Sequence, residues 1–283
     1  MGRPTHHPDA PRTEGPRPAR HRETAHERTL LAGSHARAYR VRMTTTRIRT
    51  VCFDFDRTLG YMSPSHWTAY EEAARAAGIE VTAEALAAGG VDNGWAQWDT
   101  PLGPVHLDAS RSQAAFRELR AALAIERFRA VGVTDEAALA DAGRRAALIE
   151  EESARYALFE DTLPALRRLK DAGVASIIIS NHIWTLPQIV GTLAGDLIAG
   201  VVTSARAGIR KPHPAIFKAA LALTSAAPEE TLMVGDSASA DVRGAERVGM
   251  HAVLIDREGT MTPPEDVRVI RSLLDVPLGW DVS

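Results

Sequence analysis

Cysteine is almost missing from this chain of 283 residues: Cys52 is the single example, so no disulfide can form within one chain. It sits in an apolar run, where a reduced core thiol is the ordinary occupant. Lysine is nearly as rare, and only Lys170, Lys211 and Lys218 occur among the 33 Lys and Arg residues. Any role that needs a lysine therefore has few candidates. No apolar run approaches the roughly 18 residues of a membrane span. Leu30-Leu31-Ala32 is also far too short for the apolar centre of a secretory signal. A cytoplasmic protein without a membrane partner is the expectation, as a monomer or a homodimer.

What remains is ordinary globular material, 45% hydrophobic and 24% charged, enough for one large domain or two modest ones. The net charge of −3 conceals an asymmetry. Residues 1–42 hold nine Arg against Asp9, Glu14, Glu23 and Glu27, about +5, which leaves about −8 for the rest. The same stretch has five His, five Pro and no helical or strand period. Residues 1–46 are read as a disordered basic tail, with Met43 a candidate for the true translation start. The tail lacks the interleaved aromatics of a nucleic-acid arm, and no nucleic-acid partner is expected.

From residue 47 short apolar runs alternate with helix-like segments. Ile48–Phe53, Val174–Ser180, Gly200–Thr203, Thr231–Gly235 and His251–Ile255 read as strands. Asp161–Ala172, Pro214–Leu223 and Ala238–Val248 read as the helices between them. Continuous runs rich in Val and Ile, separated by helices, predict a parallel sheet covered on both faces. The expected fold is α/β, a Rossmann-like three-layer sandwich built from 47–60 and 159–283. Between the first two strands lie over a hundred residues, where a crossover needs only about a dozen. Residues 64–77, 82–88, 108–130 and 134–157 look helical, with Phe116, Leu119, Leu123 and Phe128 near helical spacing. Residues 61–158 are therefore expected to form an inserted α-helical domain.

Ligands of an open parallel sheet bind beyond the carboxyl ends of its strands. The first strand runs into Asp54-Phe-Asp-Arg-Thr-Leu-Gly60, which places Asp54 and Asp56 on one side of an extended chain. Two carboxylates so close repel, and a cation is expected nearby. The second strand ends in Ser180-Asn181. Past the third lies Lys211-Pro-His-Pro214, and the fourth ends in Gly235-Asp236-Ser237 with Asp241 just beyond. Singly each has a bland explanation: a turn after a strand, a helix cap, a solvated lysine. Together they put four carboxylates, a hydroxyl and a lysine on one rim.

This arrangement resembles the haloacid dehalogenase superfamily of phosphohydrolases over about residues 47–260. The first motif is Asp54-x-Asp56-x-Thr58, the second Ser180, the third Lys211, and the fourth Gly235-Asp236-Ser237-x-x-x-Asp241-x-x-Gly244-Ala245. The helical insertion resembles the family's first type of cap domain. The resemblance implies a Mg²⁺-dependent phosphatase acting on a small phosphorylated metabolite. Asp54 would attack the phosphoryl group and form an aspartyl phosphate, which water later breaks. Asp56 would protonate the leaving oxygen and then deprotonate the water. An all-oxygen shell suits Mg²⁺: Asp54 and Asp236 through their side chains and Asp56 through its backbone carbonyl, with Asp241 orienting the shell directly or through water. Mg²⁺ and Lys211 would neutralise charge on the transferred group. Ser180 and the Asn181 N–H would hold its oxygens, with Thr58 fixing the Asp56 side chain.

One position departs from the family pattern, which usually has Gly where this chain has Arg57. The turn is then expected to accept an L-residue, and the guanidinium either faces substrate or is a plain surface charge. Dehalogenases of the superfamily generally lack the second Asp, so Asp56 favours phosphate esters. The phosphonate-cleaving branch needs a cap lysine, and residues 60–160 contain none. Dehalogenation, a phosphomutase activity and a non-catalytic phosphate-binding module are the alternatives. Gly- and Pro-rich residues 89–104 carry Trp95 and Trp98, which either stack on the leaving group or pack within the insertion. Tyr61 and His66 follow the first motif, where packing is the commoner role. His182 and His213 flank motif residues without an assigned role.

Overall fold

A computed structural model describes residues 44–89 and 108–282. The basic tail, with Met43, and both Trp95 and Trp98 lie outside the described residues. The strands are β1 (Thr44–Arg47), β2 (Thr50–Phe53), β3 (Gly60–Met62), β4 (Tyr156–Leu158), β5 (Ala175–Ser180), β6 (Gly200–Thr203), β7 (Thr231–Gly235), β8 (His251–Ile255), β9 (Val269–Ile270) and β10 (Gly279–Val282). Six of them form one parallel sheet in the order β6-β5-β2-β7-β8-β9. The chain enters at β2, winds outward through β5 and β6, and returns to β7 on the other side of β2. That reversal opens a crevice at the carboxyl end of β2, where a ligand site is expected.

The sheet is covered on both faces, as its apolar runs require. In β2 the side chains alternate: Val51 and Phe53 pack into one core with Leu166, Ile178 and Val234, and Cys52 points into another with Ile177, Phe217 and Met233. Burial pushes the Cys52 thiol up to about 12, which leaves it an inert core residue.

The insertion holds helices α1 (His66–Ala76), α2 (Ala83–Ala88), α3 (Gln113–Ala130) and α4 (Glu136–Ile149). They enclose a core of their own around Tyr70, Phe128 and Leu139. Phe116, at the start of α3, packs instead into the first core of the sheet, so one helix face bridges the two cores. Ser65, Ser112 and Asp135 accept hydrogen bonds from the first-turn N–H groups of α1, α3 and α4 and fix where each begins.

Three expectations need correction. The helix expected over 134–157 stops at Ile149, and Tyr156–Leu158 becomes β4, antiparallel to β3. That two-stranded neck carries the chain into and out of the insertion. Strands of three residues are too short to show a period, so sequence pattern missed them. Residues 44–46, placed in the tail by composition, belong to strand β1, which pairs with β10. The helix expected over Ala238–Val248 is split into a wide π-type turn, Ala238–Val242, and a short α-helix, Arg243–Glu246. A further helix, Leu186–Ala194, carries Pro187 in its first turn, where a missing N–H costs nothing.

Candidate active site

The first motif is a tight loop. The Phe55 carbonyl accepts from the N–H groups of Thr58, Leu59 and Gly60 at 3.2, 2.9 and 3.0 Å, which turns the chain back just after Asp54. Gly60 is required here, because a Cβ on it would lie 2.6 Å from the Ala157 carbonyl. The loop also needs a left-handed residue, and Arg57 supplies it at φ 58°. The expected turn suited to an L-residue is therefore absent: the arginine itself takes the conformation that glycine takes freely. Its guanidinium turns to Asp236, 3.4 Å away, with the side chain 70% exposed.

Asp54 ends β2 and holds two donors on one oxygen. Phe55 N–H donates to Oδ1 at 2.8 Å, and Lys211 Nζ lies 2.8 Å from the same atom. Lys211 Nζ also donates to Asp241 Oδ1 at 2.6 Å. Burial alone would lower the ammonium's pKa; Asp241 and Asp54 outweigh it and hold the lysine charged. Its backbone is fixed as firmly: Asn181 Oδ1 accepts from Lys211 N–H at 2.8 Å and Asn181 Nδ2 donates to the Lys211 carbonyl at 3.0 Å. The Asn181 side chain thus pins the lysine, a role separate from its own N–H.

The wide turn after β7 serves Asp241. The N–H groups of Asp241 and Val242 both donate to the Ser237 carbonyl, at 2.9 and 3.3 Å. This swings Asp241 back under the rim, where Oδ2 accepts from Ser237 N–H at 2.9 Å. Gly235 makes room, since a Cβ there would stand 2.2 Å from that oxygen. Both oxygens of Asp241 are therefore engaged by protein donors. Asp236 is not so compensated: burial, then Asp54 and Asp241, push its carboxyl up to about 7 against the pull of Arg57 and Lys211.

Oxygens of Asp54, Asp236 and Asp241 lie within 4.8 Å of one another. A crowd of carboxylates that raises the pKa of one member is the donor set of a hard divalent cation. The rim fits Mg²⁺ on that ground. Ser180 and Asn181 line the same polar cavity, of about 540 Å³, with Asp54, Asp56 and Lys211.

Thr58 is brought close without reaching the cavity. It is fully buried, and its Oγ1 has no hydrogen-bond partner, so the expected contact to Asp56 is not made. Asp56, half-exposed, meets His182 instead: Nε2 lies 3.4 Å from Oδ2. Burial disfavours the Asp56 charge, but His182, followed by His66 and Lys211, outweighs it and holds the carboxyl below its usual range. His182 is itself buried, with its ring edge-on to Phe55 at 5.5 Å and tilted against Tyr156 at 5.7 Å. His213 does something plainer, accepting from Ala215 N–H as the cap of its helix.

Sequence reasoning also missed Arg257. Its guanidinium donates to the Thr58 carbonyl at 2.5 Å, pairs with Asp161, and lies 3.9 Å over the Phe159 ring. Asp161 is held in turn by Ser272 Oγ and Leu273 N–H, both at 2.8 Å. The motif loop is thus braced from the far end of the chain. No local signal marks a contact across that span; only the fold shows it.

The sequence model of haloacid dehalogenase-like hydrolases matches residues 48–249. The phosphoserine phosphatase of Thermus thermophilus is 34% identical over 194 residues, 66% of this chain and 73% of that protein. The glyceraldehyde 3-phosphate phosphatase of Pyrococcus furiosus is 41% identical over 90 residues, 31% of this chain and 38% of that one. A solved 2-haloacid dehalogenase from Pseudomonas syringae pv. Tomato DC3000 is similar at 26% identity and a TM-score of 0.56, over 80% of this chain and 95% of its own. The chain belongs to the haloacid dehalogenase-like hydrolase family. It is a hydrolase with an α/β core, and no helix among the described residues is long and apolar enough to cross a membrane.

Proposed function

We propose that the protein is a Mg²⁺-dependent phosphatase that cleaves a phosphate monoester of a small metabolite through an aspartyl phosphate. The observation that carries this reading is the Asp54 carboxylate, gripped on Oδ1 by Lys211 at 2.8 Å at the sheet's crevice, with Asp56 half-exposed beside it. The names of relatives point two ways: two are phosphatases and one solved neighbour is a dehalogenase. Asp56 favours the former, because an alkoxide leaving group needs a proton and a halide does not.

Asp54 attacks phosphorus through Oδ2, the oxygen that carries neither donor. The ester P–O bond breaks and its electron pair leaves on the substrate oxygen, which takes a proton through Asp56: the carboxylate, ionised at rest, receives it from the phosphate monoanion as the substrate binds. Water then adds to phosphorus and gives a proton to Asp56, and the bond to Asp54 breaks to release phosphate. Lys211 holds Asp54 in place and faces the charge of the transferred group, while Ser180 Oγ and the Asn181 N–H orient its oxygens. Asp54, Asp236 and the Asp56 carbonyl would hold Mg²⁺, with Asp241 orienting Lys211 and Ser237. When bound, the ion supplies charge neutralisation at the phosphoryl oxygens. The helical insertion acts as the cap over this rim.

The test is hydrolysis of p-nitrophenyl phosphate. Turnover that needs Mg²⁺, stops with EDTA and is lost in Asp54→Asn supports the proposal. Turnover that survives in Asp54→Asn removes Asp54 as nucleophile.

A further inference from the structure

A second cavity, also of about 540 Å³, opens beside the polar one and shares Asp56, Arg57 and Asn181 with it. Its far wall comes from the insertion. Met62, Trp67, Tyr156 and Ile183 give it apolar surface, and His66, Arg120 and Glu150 give it polar groups. A leaving group attached to a phosphate at Asp54 has Asp56 beside its ester oxygen and this cavity beyond.

The charges of that wall are already committed. Arg120 donates to Glu150 through Nε at 2.7 Å and Nη2 at 2.5 Å, and Tyr70 Oη donates to Glu150 Oε1 at 2.9 Å. Glu150 is 2% exposed and Arg120 8%. A ligand carboxylate or ammonium entering here loses water and meets a pair that is matched without it. Arg57, at the edge shared by the two cavities, pairs with Asp236 at 3.4 Å.

Among the polar groups that line the cavity, His66 offers a ring-nitrogen acceptor beside the charged pair. Ser65 caps α1 and sets His66 at its first position, where Nδ1 faces Glu150 Oε1 at 3.4 Å. A nitrogen lone pair aimed at a carboxylate is repelled, which assigns the ring proton to Nδ1 and an acceptor lone pair to Nε2. Burial keeps the ring neutral, with a pKa pushed down to about 4, helped by Arg120 and Arg127 against Glu150 and Asp56. The side chain keeps 35% of its surface, on the cavity side.

We propose that this cavity binds the non-phosphate part of the substrate and selects an uncharged, hydroxyl-bearing group with an apolar face and more than three carbons, its hydroxyl donating to His66 Nε2. The volume supports the size, since pockets of roughly 300–1,000 Å³ are those that hold ligands of drug-like size. The proposal rests on the phosphatase reading above.

Three aryl phosphates with one ring test it: phenyl phosphate, 4-(hydroxymethyl)phenyl phosphate and 4-carboxyphenyl phosphate, assayed with Mg²⁺ beside O-phosphoserine. The wild type is expected to turn over the hydroxymethyl ester with kcat/KM about three- to tenfold above phenyl phosphate, the range of one net hydrogen bond. The carboxy ester and O-phosphoserine should each fall about tenfold or more below phenyl phosphate. His66→Phe should erase the hydroxymethyl advantage, bringing the ratio of kcat/KM for the hydroxymethyl ester to that for phenyl phosphate to about one, whatever it does to the two rates together. The order of the three aryl rates in the wild type decides the charge preference even if the variant does not fold. A carboxy ester or phosphoserine cleaved as well as phenyl phosphate overturns the proposal, as does a hydroxymethyl advantage that survives in His66→Phe. If the folded protein cleaves none of the four while p-nitrophenyl phosphate is hydrolysed, the cavity assignment fails alone. If that ester too is untouched, the phosphatase reading fails with it.

Discussion

Two buried sets of charges sit on either side of Asp56, and they are built on opposite rules. In the insertion, Glu150 faces Arg120, Tyr70 and His66, and its carboxyl is held at about 2 because these partners outweigh burial. On the sheet rim, Asp54, Asp236 and Asp241 crowd one lysine, and Asp236 is pushed up to about 7. The first set is balanced within the protein. The second is short of positive charge, and a site built to hold a cation has to be. On the phosphatase reading the imbalance falls where the chemistry is proposed, and the balance falls in the wall of the neighbouring cavity.

The largest expected difference is catalytic. Asp54→Asn should cut turnover of p-nitrophenyl phosphate by at least about 10⁴-fold, the scale of losing a nucleophile. The same change relieves like-charge crowding, so the urea midpoint of the metal-free protein should hold or rise. The insertion should behave in reverse. Arg120→Met leaves Glu150 buried without its main partner and should cost about 3–5 kcal/mol in urea unfolding. Adding Glu150→Leu should recover most of that loss, since a matched apolar pair replaces a matched ionic one.

Opposite pH slopes should follow in EDTA. His66 is held neutral, so its contribution is present above about pH 6.5 and lost as pH falls towards about 4. Glu150 adds to this, present above its ordinary value of 4.5 and lost as pH falls through about 2. Asp236 favours the protonated form in the fold, so its contribution is full below 3.8 and lost as pH rises to about 7. Thermal melts of His66→Phe and Asp236→Asn across this range should each lose one slope and keep the other. Mg²⁺ should raise the melting temperature most above pH 7, where Asp236 is ionised.

The smallest effect concerns Arg57. Arg57→Gly removes a left-handed strain of roughly 1–2 kcal/mol but adds unfolded-state freedom and loses an exposed pair with Asp236. A net gain of about 0.5 kcal/mol is expected in urea unfolding, with kcat little changed. A large fall in kcat would give the guanidinium a part in the chemistry.

Much of the rim was legible because each of its residues follows an apolar strand directly. Asp54, Ser180 and Asp236 are placed by strand ends alone, and the sheet order then brings them together. What the sequence hid depends on geometry across long spans or on very short elements. The β3–β4 neck has three residues a side, the turn that returns Asp241 to Ser237 looks helical in pattern, and Arg257 reaches Thr58 from almost two hundred residues away. Arg57 is a mixed case. The sequence shows that glycine is missing, and only the backbone shows that the left-handed conformation stays regardless.

The central claim is that the charge-starved rim carries out phosphoryl transfer through Asp54. Asp56→Asn offers the most direct test with p-nitrophenyl phosphate: nitrophenolate leaves without the proton that Asp56 gives, so the change removes only the base for the second step and leaves the nucleophile intact. Acid-quenched after incubation with p-nitrophenyl phosphate and Mg²⁺, this variant should carry one phosphoryl group on the peptide that contains Asp54. Asp54→Asn, treated alike, should carry none. A variant that burns substrate without ever labelling that peptide, or a label that persists in Asp54→Asn, would contradict the account.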